Sequence, residues 1–131
     1  MKDLLWGPAR LYPPEFVGAA DIVTPGPAYD SVEGETWPDD FPDLAARVCI
    51  PVEVTIGEHE LFWAAGQPAL ADLGSLFSAA PRVALNEQAE AGHNLSIGWG
   101  AAAYHLKVLS FVEECIQARV SRAEVGQWAG S

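Results

Sequence analysis

The chain of 131 residues is short enough for one domain, and half of its residues are hydrophobic, which indicates a globular protein. Acidic residues outnumber basic ones by 18 to 7. That balance argues against nucleic acid and anionic membrane surfaces as partners, because binding to both depends on lysine and arginine. No apolar run approaches the roughly 18 residues of a membrane span, and residues 1–8 lack the apolar core of a secretory signal, so we expect a cytoplasmic protein.

The first 47 residues are predicted to form a loop-rich lead-in. Prolines are dense here, as in Pro13-Pro14 and Pro25-Gly26-Pro27. Proline interrupts helices and strands because it lacks a backbone donor and has a fixed φ. Aromatic side chains such as Trp37 indicate that the segment is pinned to another surface rather than disordered. One short helix is predicted from about Asp39 to about Arg47, with acidic residues near its start.

Hydrophobic periodicity predicts two strands with a helix between them. A two-residue alternation of apolar and polar residues predicts a strand at about 51–56, which Gly57 ends. A helix follows from about residue 67 or 68 to Phe77, because leucines recur on one side of it. A second strand covers about 82–87. We therefore expect a short β-α-β segment in the middle of the chain.

The most regular periodicity predicts a C-terminal helix over about 101–118. Apolar residues recur there at three- and four-residue steps, and we expect them to face the core: Ala102, Leu106, Leu109, Val112 and Ile116, with Val108, Phe111 and Cys115 widening the stripe. After Arg119 no strong period remains, so the tail is predicted to fray. Cys49 and Cys115 lie in apolar surroundings and are expected to be buried free thiols, a disulfide being the minority interpretation.

The order strand, helix, strand, helix predicts a right-handed crossover in a parallel sheet, and therefore an α/β fold. Functional groups of such sheets collect on loops at the carboxyl ends of strands. Gly57-Glu58-His59-Glu60 follows the first strand, and Gly92-His93-Asn94 follows the second. If the strands are neighbours, both loops leave the same edge of the sheet, and an acid and a histidine can meet there.

These two loops, with a helix between them and a helix after them, resemble the C-terminal half of the α/β-hydrolases. In that family, one strand ends in Gly-x-x-Asp or Gly-x-x-Glu, which supplies an acid, and the loop after the next strand supplies a histidine. The resemblance implies that Glu60 is the acid and His93 the base of a catalytic triad. Glu58 stands two residues too early for the acid. The implied reaction is the hydrolysis of an ester- or amide-like bond without a cofactor.

The resemblance also implies a domain organisation. It covers about residues 41–118 of a single partial hydrolase domain. Residues 1–47 would be a cap remnant and lead-in, 48–119 the last strands and helices, and 120–131 the tail. Such a domain supplies about two parallel strands, so one strand edge stays open. Because unpaired edges invite association, we expect self-association through this edge.

One part of the family pattern is missing. The nucleophile elbow Gly-x-Ser-x-Gly is absent, because none of the seven serines has glycine two positions before and two after it. We therefore expect a chain that is inactive alone and takes a small-molecule substrate only when an N-terminal half completes it. A natural half, a truncation and a misassigned start all stay open. The alternative is a non-catalytic binding or interaction domain that retains the hydrolase scaffold.

A metal site is a further alternative for the first loop, since His59 lies between Glu58 and Glu60. A metal ion usually needs three or four protein ligands, and the third could only be His93. Because so few ligands are available, we expect neither a metal site nor a cofactor.

Overall fold

A computed structural model describes residues 6–17 and 28–128. Within these residues, a 3₁₀ turn at Ala9–Leu11 is followed by two strands and four α-helices, in the order α1 (Pro14–Val17), α2 (Ala28–Ala45), β1 (Val52–Gly57), α3 (Gly66–Ser75), β2 (Val83–Gln88) and α4 (Ala101–Trp128). The predicted alternation of strands and helices is therefore present, and the chain forms a small α/β fold. Within the described part, no helix combines the length and apolar character that a membrane span requires.

The two strands lie side by side and parallel. They pair in register from Val52 opposite Val83 to Gly57 opposite Gln88. The pairing extends one step further, since the Glu58 N–H donates to the Gln88 carbonyl at 2.9 Å. Both strands therefore end at the same edge, and the loops that follow leave the sheet next to each other.

The two faces of this sheet differ in polarity. On one face the alternating apolar residues of β1 lie beside Leu85, which packs closely against Gly74 of α3. Leu70, also on α3, is only 1% exposed. On the other face Asn86 donates a hydrogen bond to Glu53 at 2.8 Å. The apolar packing of the sheet is thus concentrated on the α3 side.

Helix α4 runs along the polar face, antiparallel to β2. Near the end of the strand, Lys107 Nζ donates to Gln88 Oε1 at 2.7 Å. Near its start, Arg82 forms an ion pair with Glu114 and also lies over the Phe111 ring, 5.2 Å from its centroid. These contacts fix which side of α4 faces the sheet.

The prediction that the apolar stripe of α4 faces the core is wrong for the centre of the stripe, although Val108, Phe111 and Cys115 at its side are half-buried. Leu106 and Leu109 are 66% and 64% exposed, and Val112, Ile116 and Val120, which continues the stripe beyond its predicted end, are about half exposed. The reason is the polarity of the strand face below the helix. Glu53, Asn86 and Gln88 leave little apolar surface there, and the side of α4 that carries Lys107, Phe111 and Glu114 faces the sheet instead.

The N-terminal third is more helical than its prolines predict. The helix expected at about 39–47 belongs to α2, which has 18 residues and includes Pro38 and Pro42. Both prolines are exposed, so water can reach carbonyl groups that lose their helical donor. Edge-to-face contacts of Trp37 with Trp63 and of Phe41 with Phe77 hold the end of α2 against the rest of the chain.

Two further expectations are corrected. The predicted fraying after Arg119 is wrong, because α4 continues to Trp128. Both cysteines are free, as expected, but Cys49 is exposed and Cys115 is only half-buried. Cys49 lies outside the sheet, because β1 begins three residues later, at Val52.

Candidate active site

The two residues predicted to be the acid and the base are in contact. Glu60 lies in the acid loop (residues 58–65), which follows β1, and His93 lies in the histidine loop (residues 89–100), which follows β2. His93 Nδ1 is 2.8 Å from Glu60 Oε2. The Glu60 side chain is 3% exposed and that of His93 is 28% exposed. A buried carboxylate therefore holds one side of an imidazole whose other side is accessible.

The contact is possible because the two loops meet backbone to backbone. A Cβ atom added at Gly57 would lie 2.5 Å from the Gly92 carbonyl oxygen and still closer to that of Ala91. The His59 N–H donates to the Ala91 carbonyl at 2.9 Å. Only glycine fits such an approach, which explains why β1 ends with Gly57.

Glu60 is held from two sides. Its Oε1 accepts hydrogen bonds from the backbone N–H groups of Phe62, at 2.6 Å, and Trp63, at 3.3 Å. Its Oε2 faces His93. An ionised carboxylate can only accept hydrogen bonds, so we assign the proton of the neutral imidazole to Nδ1. Nε2 then carries the lone pair.

An apolar wall stands beside the imidazole. The Phe62 ring lies 5.3 Å from the His93 ring, and the adjacent Trp63 packs edge-on against Phe62. Both aromatic side chains are 46% exposed. Because Glu60 binds the backbone of both aromatic residues, one carboxylate positions the histidine and the wall together.

Residues 6–12 form a strap that packs against both loops. Gly7, with φ of 65°, lies against the His59 carbonyl group. A Cβ atom added at Gly92 would lie 2.5 Å from the Trp6 carbonyl oxygen and 2.6 Å from the Tyr12 hydroxyl. The Trp99 N–H donates to the Leu11 carbonyl at 2.9 Å. Sequence reasoning missed this strap, although Gly7 and the aromatic residues on either side of it were available signals.

Tyr12 is the most buried side chain of the strap, at 2% exposure. Burial raises the pKa of its hydroxyl above the ordinary value of 10.0. The backbone of Asn94 acts in the opposite direction, and the nearby charge of Glu60 raises the pKa further. The hydroxyl therefore stays protonated where the site would operate, and it contributes no charge next to Glu60.

A second cluster of charged groups lies at the exposed edge of the two loops. Ligand atoms of Glu58, His59 and Glu90 all lie within 4.8 Å of one another. The prediction that only His93 could complete a metal site at His59 is wrong, because Glu90 takes that place while His93 is bound to Glu60. Arg10 of the strap lies 3.1 Å from the Glu90 carboxylate and supplies a positive charge there.

The backbone of this cluster is constrained as well. Glu90 has a φ of 50°, an uncommon value for a residue other than glycine. Its N–H donates to Glu58 Oε2 at 2.9 Å. The cluster thereby ties the strap and both loops together through exposed polar contacts.

Comparison of the chain with protein-family models, curated proteins and solved structures gives no match. Any function proposed for the site therefore depends on its geometry. That geometry provides a histidine whose outer nitrogen can accept a proton and whose inner nitrogen is fixed by a buried carboxylate.

Proposed function

We propose that the chain carries the acid and the base of a hydrolase triad that cleaves an ester- or amide-like bond. His93 is the general base and Glu60 its positioning residue. The observation that carries the proposal is the 2.8 Å contact between His93 Nδ1 and the buried carboxylate of Glu60. The sequence pattern of the two loops, which resembles the acid and histidine loops of α/β-hydrolases, supports the same assignment.

The geometry suits proton transfer at Nε2. With the proton of the neutral ring on Nδ1, Nε2 can accept a proton from an attacking hydroxyl group. The imidazolium that forms is stabilised by the negative charge of Glu60, and it can return the proton to the leaving group. The two backbone N–H groups on Glu60 Oε1 keep the carboxylate in place throughout.

The nucleophile and the oxyanion hole come from outside this arrangement. No serine of the chain stands in a Gly-x-Ser-x-Gly elbow. We therefore propose that His93 and Glu60 reach full activity only when another polypeptide segment holds a nucleophile at Nε2, and that a free alcohol replaces it poorly. The small-molecule substrate would then lie against the wall formed by Phe62 and Trp63.

A second candidate is a non-catalytic interaction domain. It is favoured by the exposed apolar stripe of α4, which includes Leu106, Leu109 and Val120. Contiguous apolar surface of this kind commonly marks a site of protein association. In that case the contact between His93 and Glu60 serves only to lock the two loops together.

The two candidate functions predict different rates of acyl transfer to an added nucleophile. We expect the wild-type chain to accelerate transfer of the acetyl group of p-nitrophenyl acetate to added trifluoroethanol. Because substrate and alcohol are not held in place, the gain over His93→Gln should be about two- to tenfold, far below that of a complete general base. Matched variants of the other histidines, His59→Gln and His105→Gln, should retain the wild-type rate. Equal losses in all three variants would mean unspecific imidazole catalysis and would favour the interaction domain.

A further inference from the structure

A groove lies at the amino ends of the strands, at the opposite end of the sheet from His93. It has a volume of about 990 Å³. Its walls are the segment 49–51 before β1, the segment 81–83 at the start of β2, and the part of α4 from Phe111 to Arg122. Most of the lining is apolar, and the two free cysteines, Cys49 and Cys115, both contribute to it.

The charged side chains that line this groove are all arginines. Three arginines line it and no acidic residue does, although the chain has 18 acidic and only 7 basic residues. Arg82 is already engaged by Glu114 and the Phe111 ring. Arg119 and Arg122 are exposed, and within the side chains that the structure describes neither forms an ion pair. An unpaired positive charge in an acidic chain favours an anionic partner.

Arg119 and Arg122 lie at one end of the part of α4 that lines the groove. Phe111 and Cys115 lie one helical turn apart, Ile116 follows Cys115 directly, and the two arginines lie beyond them. Residues three apart on a helix are neighbours, so both guanidinium groups can reach a single anion. A partner helix with charges spread along its length would not match this arrangement. A ligand with one apolar tail and one anionic head does.

We infer that this groove binds a long-chain carboxylate. The tail lies along Phe111, Val112 and Ile116, opposite Ile50, and the carboxylate lies between Arg119 and Arg122. This inference concerns the opposite end of the sheet from His93 and does not depend on the proposed hydrolase function.

Binding of dodecanoate, below the concentration at which it forms micelles, tests the inference. Calorimetry should show one bound dodecanoate per chain. Occupancy should slow the alkylation of Cys49 by iodoacetamide several-fold, measured by peptide mapping that separates Cys49 from Cys115. Arg119→Gln combined with Arg122→Gln should weaken binding about tenfold or more, because the carboxylate loses both charge-assisted partners. The matched variant Arg47→Gln, whose exposed arginine lies outside the groove, should bind as the wild type does.

The apolar part of the groove has its own controls. Ile116→Glu should abolish dodecanoate binding, while Leu106→Ser, an exposed position outside the groove, should leave it unchanged. Circular dichroism establishes that each variant retains its helices. The inference is overturned if dodecanol binds as tightly as dodecanoate, if the double arginine variant keeps wild-type affinity, or if Cys49 reacts equally fast with and without dodecanoate.

Discussion

Gly57 lies directly against the backbone of Ala91, with less space between them than a single methyl group requires. This approach brings the end of β1 and the histidine loop together, and the hydrogen bond from the His59 N–H to the Ala91 carbonyl spans the same place. The contact between Glu60 and His93 depends on it. Residues that take no part in the chemistry therefore set the geometry of the candidate site.

Gly57→Ala should disrupt the site and destabilise the fold. The added methyl group must displace the backbone of the histidine loop, so we expect a loss of about 1–3 kcal/mol in the free energy of unfolding. The matched variant is Gly74→Ala in α3, where the atoms nearest to the new methyl group belong to the Leu85 side chain rather than to backbone, and where alanine raises the helix propensity. Urea unfolding of both variants measures the difference. Equal stability of the two would contradict the close approach at Gly57.

Truncating a leucine of α3 should lower stability strongly, whereas truncating a leucine of α4 should hardly change it. Leu70 is 1% exposed, and changing it to alanine should lower the free energy of unfolding by about 2–5 kcal/mol. Leu109, which is 64% exposed, should change stability by less than about 0.5 kcal/mol when changed to serine, and the variant should aggregate less. Unfolding and light scattering measure these effects. A large loss of stability in Leu109→Ser would show that the α4 stripe is covered in solution.

Because the pKa of Tyr12 is raised, we expect the folded protein to lose stability at high pH. Above pH 10.0 the unfolded chain releases the tyrosine proton while the folded chain still holds it, so stability falls as the pH rises towards the folded pKa. Below pH 10.0 Tyr12 adds no pH dependence. Tyr12→Phe should remove this part of the decline. The difference in ultraviolet absorbance between wild type and variant, followed as the pH is raised, should place the deprotonation of Tyr12 above pH 10.0. Deprotonation at or below that pH would contradict the burial of Tyr12.

A serine-directed fluorophosphonate probe should leave the isolated chain unlabelled. His93 can activate a serine only if one is placed at its Nε2, and no serine lies in a nucleophile elbow. Intact-mass spectrometry after prolonged exposure measures the labelling. Stoichiometric modification that His93→Gln abolishes would reveal a nucleophile within this chain.

The meeting of Glu60 and His93 could be predicted because it follows from a local rule. Two strands recognised by their period-two pattern, joined by a helix, place their exit loops at one edge when they pair in parallel. The structure bears out this two-stranded arrangement, with β1 and β2 shifted by one residue from their predicted positions. The proposed relationship to hydrolases rests on the sequence pattern of these loops alone.

The environment of the site could not be predicted in the same way. Residues 6–12 have no hydrophobic period, and their packing depends on close approaches at Gly7 and Gly92 that only the folded chain displays. For α4, the apolar stripe could be predicted from its period, but its surroundings could not. Its periodicity gives an apolar side correctly but does not determine what covers it. The contacts of Lys107 with Gln88 and of Glu114 with Arg82 turn another side of the helix towards the sheet.

The tautomer of His93 tests the central claim most directly. Long-range ¹H–¹⁵N correlation spectra at about pH 8.5, above the ordinary titration range of histidine, distinguish the two ring nitrogens. The 2.8 Å contact with Glu60 predicts a proton on Nδ1 and a bare Nε2, with this preference lost in Glu60→Ala. A proton on Nε2, or a tautomer mixture that Glu60→Ala leaves unchanged, would contradict the assignment of His93 as an oriented general base.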